Sequence, residues 1–433
     1  MGGEWRGRSL PLSARDIVFW EKADQEIEAN RCGDAIIRVV NDSGQPLKGV
    51  PVRFEQRQHA FRFGVHYPYH PETFDLLQQA GINAATLWLG WADVQPQRGV
   101  YNLDTLDRVW NPAALHQRGL RLTAHALNWF KPGWRVLPSY LLETPLGQLP
   151  HLVYEHTKCL ARHWSPYIET FELVNEPFWV EAQAIPLGKE DLVRICHAAA
   201  LAVRDVLPEA RLEVNFAEVS RLPSYRIHPL EFLQALAEAD VPYDSIGLQA
   251  FENAYSVTTP PTYYRSKTLS GLAQALRPYA GLSKPLHISA LAVPSGPPAN
   301  KPPAVFKPPY GPWDEPTQAH YLDAAYTLLF AQPQVQGITW WCPVDGRLAY
   351  IQCGGLLHED LTPKPSYDAL RQWMIRHTTS GQMPTDIEGK AVISGYAGEY
   401  EVSIGAGSMS RRSTQTIEAG VVREQTVVLA YHP

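Results

Sequence analysis

Eight short, nearly uninterrupted apolar runs lie between residues 61 and 376, helical stretches separate most of them, and short alternating strands occupy both ends of the 433-residue chain. Together these observations predict a (β/α)8 TIM barrel with a small accessory β-sandwich formed from the N- and C-terminal segments. Parallel strands covered on both faces require continuous apolar character, and eight β/α units over roughly 300 residues fit such a barrel. The chain is too long for one ordinary small domain, and an apolar content of 45% supports sizeable cores.

Residues 13–30 read as a helix, with Ser13 as N-cap and Ile17, Trp20, Ala23 and Ile27 at helical spacing. Segments 35–40 and 50–54 read as strands, and the Asn41-Asp42-Ser43-Gly44 sequence between them is turn chemistry. The barrel strands are expected at 61–67, 84–91, 122–129, 171–175, 212–216, 245–251, 286–291 and 338–342, with helices at 149–163, 189–206, 229–239 and 316–331. From about residue 380 Gly, Ser and Thr rise, and strands are expected at 390–394, 399–404, 412–418 and 425–430, packing with the N-terminal strands. The division is thus 1–60 for a helix and part of the β-module, 61–376 for the barrel and 377–433 for the strands that complete the module. The Pro-rich segment 294–312 reads as a long surface loop beside the active face.

Composition narrows the function classes. A net charge of −6 without runs of like charge provides no basic face for nucleic acid. No apolar run approaches the roughly 20 residues that span a bilayer, and the segment from Met1 lacks an apolar signal core, so the expectation is a cytoplasmic protein or a secreted one whose leader has been removed. The five cysteines contain no Cys-x-x-Cys pair, which argues against zinc. Cys342 and Cys353 are spaced to pair across a loop, but inert buried thiols are the favoured reading. No metal or organic cofactor is implied.

In such a barrel the reacting groups sit at the C-terminal ends of the strands. Glu176 follows the fourth strand in Val174-Asn175-Glu176-Pro177, and Ala290 stands at the end of the seventh, across the barrel mouth. Retaining glycoside hydrolysis needs two carboxyls about 5–5.5 Å apart, an acid/base and a nucleophile. Glu176 is the candidate acid/base, provided its surroundings hold its pKa high. The nucleophile is expected at position 290, where alanine stands.

The order of motifs resembles glycoside hydrolase family 10, the xylanase-type retaining enzymes, over about residues 61–370. Phe61-Arg62-Phe63-Gly64 is similar to the family's opening strand. Trp91, Gln95-Pro96 and Gly99-Val100-Tyr101 are similar to its second-strand loop, and His125-Ala126-Leu127-Asn128-Trp129 to its third-strand sugar-binding motif. Val174-Asn175-Glu176 matches the acid/base motif, Gly247-Leu248-Gln249 the sixth strand, and Ile288-Ser289-Ala290-Leu291 the nucleophile motif with its glutamate replaced. Trp341 matches the eighth-strand tryptophan, and Pro363-Lys364-Pro365-Ser366-Tyr367 the family's usual ending. The resemblance implies a β-linked oligosaccharide or polysaccharide substrate, with Asn175 (on the sugar 2-hydroxyl), His125, Trp129, Gln249, Trp341, Asn215, Trp88 and Trp91 lining its site.

Plainer readings stand beside these. His125 reads equally as a satisfied core histidine, Trp129 and Trp341 as barrel packing, Asn175 as a turn cap, and Gln249 and Asn215 as core hydrogen-bonding groups. Glu218 and Glu252 read as solvated or salt-bridged, with replacement of the nucleophile as the minor alternative. Trp313 and Asp314 read as a subsite wall or a surface turn. The chain also departs from the family. Leu87, Trp88 and Gly90 stand where polar glycone contacts are usual, Phe130 replaces a second histidine, and Phe251 replaces the histidine that holds the nucleophile. A looser or non-xylan sugar preference is therefore expected. Ala290 is either a deliberate replacement of glutamate or a natural alanine in a sugar-binding relic. An otherwise intact acid/base motif favours the first. A wholly non-catalytic scaffold is the remaining alternative.

Overall fold

The computed structural model describes residues 10–66, 71–179, 183–217, 226–251, 268–296, 310–346, 353–405 and 410–429. Eight parallel strands close into a barrel: β3 (Arg62–His66), β4 (Ala84–Trp88), β5 (Arg121–His125), β6 (Ile168–Asn175), β7 (Arg211–Phe216), β8 (Ser245–Phe251), β9 (Leu286–Ala292) and β10 (Val335–Trp340). Neighbours pair in chain order, and β10 pairs with both β9 and β3. The fold class read from the sequence is the one observed.

The accessory sheets also follow expectation. One contains β1 (Cys32–Val40) between β12 (Lys390–Tyr396) and β15 (Val422–Val428). The other runs β11 (Ser380–Pro384), β2 (Pro51–His59), β13 (Gly398–Ile404) and β14 (Arg411–Ile417). Alternation sends Ile37, Val39, Val52, Phe54, Ile393, Tyr400, Val402 and Ile404 into one apolar core between them. Asn41 makes the predicted turn, its side-chain oxygen accepting from the backbone N–H of Ser43 and Gln45 at 3.1 and 2.8 Å.

Several boundaries move. The second and third barrel strands stop at Trp88 and His125, short of residues 91 and 129. Ala126 turns to a left-handed φ of 65°, and its N–H leaves the ladder for the Glu172 carboxylate. Apolar character continues past both strands because the loops that follow are themselves buried. The strand Ser380–Pro384 had no apolar alternation to announce it, and most of its residues are exposed.

The N-terminal helix, Ala14–Arg31, begins with a capping box between Ser13 and Asp16. Ala23 and Ile27 join the barrel's apolar core while Ile17 faces solvent. At the helix end the Arg31 guanidinium donates to the carbonyls of Phe330, Gln332 and Val335 at 2.6, 2.5 and 2.7 Å. These bonds tie the helix to the barrel helix Glu315–Ala331 and the start of β10. Asp314 caps that barrel helix, accepting from Thr317 N–H at 2.8 Å, and Trp313 packs edge-on against Tyr321. Trp313 is buried and Asp314 exposed, so the pair forms the surface turn that opens this helix. All five cysteines are free. No helix of the described residues is long and apolar enough to cross a membrane. Glu218 and Glu252, the two glutamates weighed as substitute nucleophiles, lie outside the described residues.

Candidate active site

A polar network inside the barrel holds the residues at its mouth. Glu172, on β6, is 2% exposed and accepts three hydrogen bonds: from His125 Nδ1–H at 2.8 Å, Asn215 Nδ2 at 2.8 Å and Ala126 N–H at 3.2 Å. Asn215, on β7, also donates to Asn175 Oδ1 at 3.0 Å, and its own Oδ1 accepts from Ser289 Oγ on β9 at 2.6 Å. The Asn215–Ser289 bond passes over β8, which is possible only across the barrel interior. Residue 247 on β8 must therefore be glycine, since a Cβ there would stand 2.6 Å from Asn215 Oδ1 and 2.8 Å from Glu213 Oε1. A buried network satisfied in this way locks its members in place.

Above this floor the chain turns out of β6 at Glu176, which takes a left-handed φ of 49°. Its N–H donates to the Asn215 carbonyl at 2.8 Å. The side chain is partly exposed at the mouth. Burial raises its pKa above the ordinary carboxyl range, against the opposing pull of Lys131 and a hydrogen bond with Gln249. Gln249 Nε2 in turn donates to Asn175 Oδ1 at 3.3 Å. Asn175 Oδ1 thus accepts two bonds, while its Nδ2 is buried without a partner.

An aromatic wall completes the mouth. Trp341 meets His125 edge-on at 5.1 Å and Phe251 at 6.0 Å, and its ring lies 4.2 Å from His66. Trp88 meets His125 at 5.5 Å and Trp129 at 5.9 Å. His66, at the end of β3, has its pKa pushed down to about 3 by burial and by nearby His125. Ala290 sits in register with Gln249, 1% exposed, in an apolar cluster with Phe251, Ala292, Trp341 and Cys342.

The structure thus brings Asn175, Glu176, His125, Gln249, Asn215, Trp88, Trp129, Trp341 and Ala290 to one end of the barrel. Trp91 is a correction. It is 1% exposed in the main core, its Nε1 donates to Gln95 and Tyr140 at 2.9 Å each, and its ring stacks on His156 at 4.0 Å. Neither its face nor its N–H is open to a sugar. Sequence reasoning passed over Glu172, Ser289, His66 and Lys131. For Glu172 a signal existed, a lone charge inside an apolar strand, which needs buried partners.

A closed parallel barrel with a desolvated glutamate after its fourth strand, amides beneath it and indoles around it defines a barrel of the glycosidase type. The chain belongs to glycosyl hydrolase family 10, whose family model matches residues 83–373. It is 25% identical over 193 residues to endo-1,4-beta-xylanase A of Phanerodontia chrysosporium, covering 43% of this chain and 44% of that protein. It is 25% identical over 299 residues to endo-1,4-beta-xylanase B of Cellvibrio japonicus (strain Ueda107), covering 66% of this chain and 41% of that protein. The chain therefore spans less than half the length of either relative. Among solved structures, it resembles a GH10 endoxylanase from a sugarcane soil metagenome with a TM-score of 0.57 at 18% identity, over 72% of this chain and 97% of that one. Xylanase 10B from Thermotoga petrophila RKU-1, in complex with xylobiose, matches with a TM-score of 0.55 at 16% identity, over 74% and 94%. These structural matches speak to the fold alone.

Proposed function

We propose that this chain is a retaining-type β-glycoside hydrolase related to endo-β-1,4-xylanases whose nucleophile position is filled by Ala290. Glu176 is its acid/base, and its substrate is a β-linked plant-type oligosaccharide or polysaccharide. The observation that carries the reading is Glu176 itself, its pKa raised by burial, above the Glu172–Asn215–Asn175 floor. In the first half of the reaction its proton passes to the glycosidic oxygen as that bond breaks. Asn175 Nδ2, a buried donor with no protein partner, suits a sugar hydroxyl. His125 is held in one orientation by Glu172. The step that fails is attack on the anomeric carbon, because a methyl group stands at position 290. Loss of a nucleophile costs many orders of magnitude, on the order of 10⁶ in one protease, while binding survives.

A second reading, a naturally inactive sugar-binding barrel, is favoured by one observation. Phe251, Ala292, Trp341 and Cys342 surround Ala290 with apolar groups. A site from which a carboxylate had only just been removed would retain donors to that carboxylate. The substituted glycone positions Trp88 and Gly90 likewise support a preference other than plain xylan.

The test is hydrolysis of a panel of aryl β-glycosides and β-glycans by this chain and by Ala290→Glu, with and without azide. Activity in Ala290→Glu, or azide-dependent cleavage by the unaltered chain, supports the hydrolase. Sugar binding without cleavage in any condition supports the relic. Neither binding nor cleavage overturns both.

A further inference from the structure

After β5 the chain enters a loop, 126–136, built unlike an ordinary connection. Gly133, Trp134 and Arg135 all take left-handed φ values, 79°, 55° and 54°. The loop is clamped from two sides. The Arg135 guanidinium pairs with the Asp93 carboxylate, and buried Val136 packs with Ala126 and Trp129. It also rests directly on Gly90, where a Cβ would stand 2.8 Å from the Arg135 carbonyl oxygen and 3.2 Å from a Val136 methyl. A side chain at residue 90 is incompatible with this loop position.

The clamp presents Lys131. Its ammonium lies 5.0 Å from the Trp129 ring centre and 5.9 Å from that of Trp134, within cation–π range of both. No carboxylate pairs with it among the described residues. Its field reaches Glu176 at the mouth. His66 Nε2 and the Asn128 Oδ1 acceptor are unpartnered here, and two donors, Trp129 Nε1 and Asn175 Nδ2, are buried with no acceptor. Glu172 cannot supply one, since His125, Ala126 and Asn215 already occupy it. The mouth therefore carries unpartnered donors and, in Lys131, a positive charge with no ion-pair partner among the described residues, set among aromatic faces. A ligand that satisfies it brings acceptor oxygens, a flat apolar sugar face and a negative charge.

We infer that Lys131, seated on Trp129 and Trp134, is a specificity-determining residue that selects β-glycans bearing a carboxylated sugar, a uronic acid. A carboxylate fits better than a phosphate. Phosphate sites gather several donors, typically a guanidinium or a helix N-terminus, and the guanidinium of Arg135 is already committed to Asp93. This inference rests on the β-glycan reading above and names the substrate class within it.

The experiment is calorimetric titration of the unaltered chain with a neutral β-1,4-xylo-oligosaccharide and with the same oligosaccharide carrying one glucuronic acid. Binding needs no nucleophile, so Ala290 does not interfere. The expected result is about twofold to fivefold tighter binding of the acidic sugar at low salt, the scale of one partly screened charge pair. That preference should shrink in about 0.5 M salt, where the screening length falls to a few ångströms. It should vanish in Lys131→Ala and persist in Lys131→Arg. Equal affinities in the unaltered chain, or a preference that survives Lys131→Ala, would overturn the inference while leaving the β-glycan reading intact. No binding of either sugar would overturn that reading and this inference with it.

Discussion

Replacing His156 with phenylalanine is expected to stabilise the protein, and to stabilise it more as pH falls. His156 lies on the barrel helix Leu149–Trp164, 1% exposed, stacked between Trp91 at 4.0 Å and Tyr101 at 6.3 Å. Both of its ring nitrogens are buried without a partner. A polar group desolvated in this way and left unpaired costs about 1–3 kcal/mol. Phenylalanine keeps the stacked ring and removes that cost, while its slightly larger volume takes part of the gain back. A net gain of about 1–2 kcal/mol near neutral pH is expected.

The pH dependence follows from the direction of the shift. Burial pushes the His156 pKa down to about 3, whereas an unfolded histidine titrates near about 6.5. Between those values the unfolded chain binds the proton and the folded chain does not. The full stability is therefore present above the unfolded pKa and is lost as pH falls towards 3. The slope is about 1.4 kcal/mol per pH unit, so the loss reaches about 2 kcal/mol at pH 5. His59 and His66 are also pushed down to about 3 and give both proteins the same remaining acid slope. Urea denaturation near neutrality and at about pH 5 should show the advantage of His156→Phe growing from about 1–2 to about 3–4 kcal/mol. A variant less stable than its parent near neutrality, or an advantage equal at both pH values, would refute the reasoning. Sugar binding should not change, because Trp91 stays closed within the core.

Three further expectations concern the site and its supports. In the Ala290→Glu background, Glu176→Gln should lower cleavage of substrates with poor leaving groups by about 10²-fold or more, with a much smaller loss on activated aryl glycosides. Because burial raises the Glu176 pKa, the alkaline limb of the pH–rate profile, where the acid loses its proton, should lie above the ordinary carboxyl range. Asn215→Ala removes donors to Glu172 and Asn175 and the acceptor for Ser289, and should cost about 2–4 kcal/mol in thermal or urea unfolding. Lys364 is fully buried, with Nζ donating to Ser295 Oγ at 2.7 Å, to both Asp345 oxygens at 3.0 and 3.2 Å and to the Cys353 carbonyl at 3.3 Å. It joins the segments that follow β9 and β10, so Lys364→Met should leave Asp345, among the described residues, with only the Gly355 N–H at 2.6 Å and the His358 ring at 3.9 Å, and cost about 3 kcal/mol; unchanged melting would show the strut to be dispensable.

The barrel was legible because parallel strands covered on both faces write themselves as apolar runs, and each of the eight runs overlaps an observed strand. Their ends were less legible, since Leu89, Trp91 and Leu127 continue the run into loops that are buried too. The mouth was legible where a motif names its residues, as in Asn175-Glu176. It was not legible where partners meet across the barrel. Ser289 looks like any small residue in a strand, and only β7 and β9 facing each other make it the donor to Asn215. Lys131 looks like a loop lysine until the clamp on Gly90 and Asp93 sets it over two indoles. Trp91 erred the other way. Its place in the second-strand loop motif promised a sugar face, but His156, distant in sequence, covers that face.

The scaffold alternative, with no ligand at all, meets an energetic objection at this mouth. Glu172, Asn215 and Ser289 tie β6, β7 and β9 together, so their presence alone says nothing about sugar, since folding explains them. Asn175 Nδ2 and Glu176 are different. The first is a buried donor without an acceptor, worth about 1–3 kcal/mol of lost stability. The second holds a left-handed conformation that costs a non-glycine residue about 1–2 kcal/mol, and burial works against its charged form as well. Glycine at position 176 would relieve the backbone cost, and an apolar residue at 175 the unpaired donor, in a protein that only needed to fold. Among the described residues no acceptor meets Asn175 Nδ2. A sugar hydroxyl over Asn175 and a glycosidic oxygen over Glu176 would offset these costs on binding, which makes the two residues worth retaining even above an alanine at position 290.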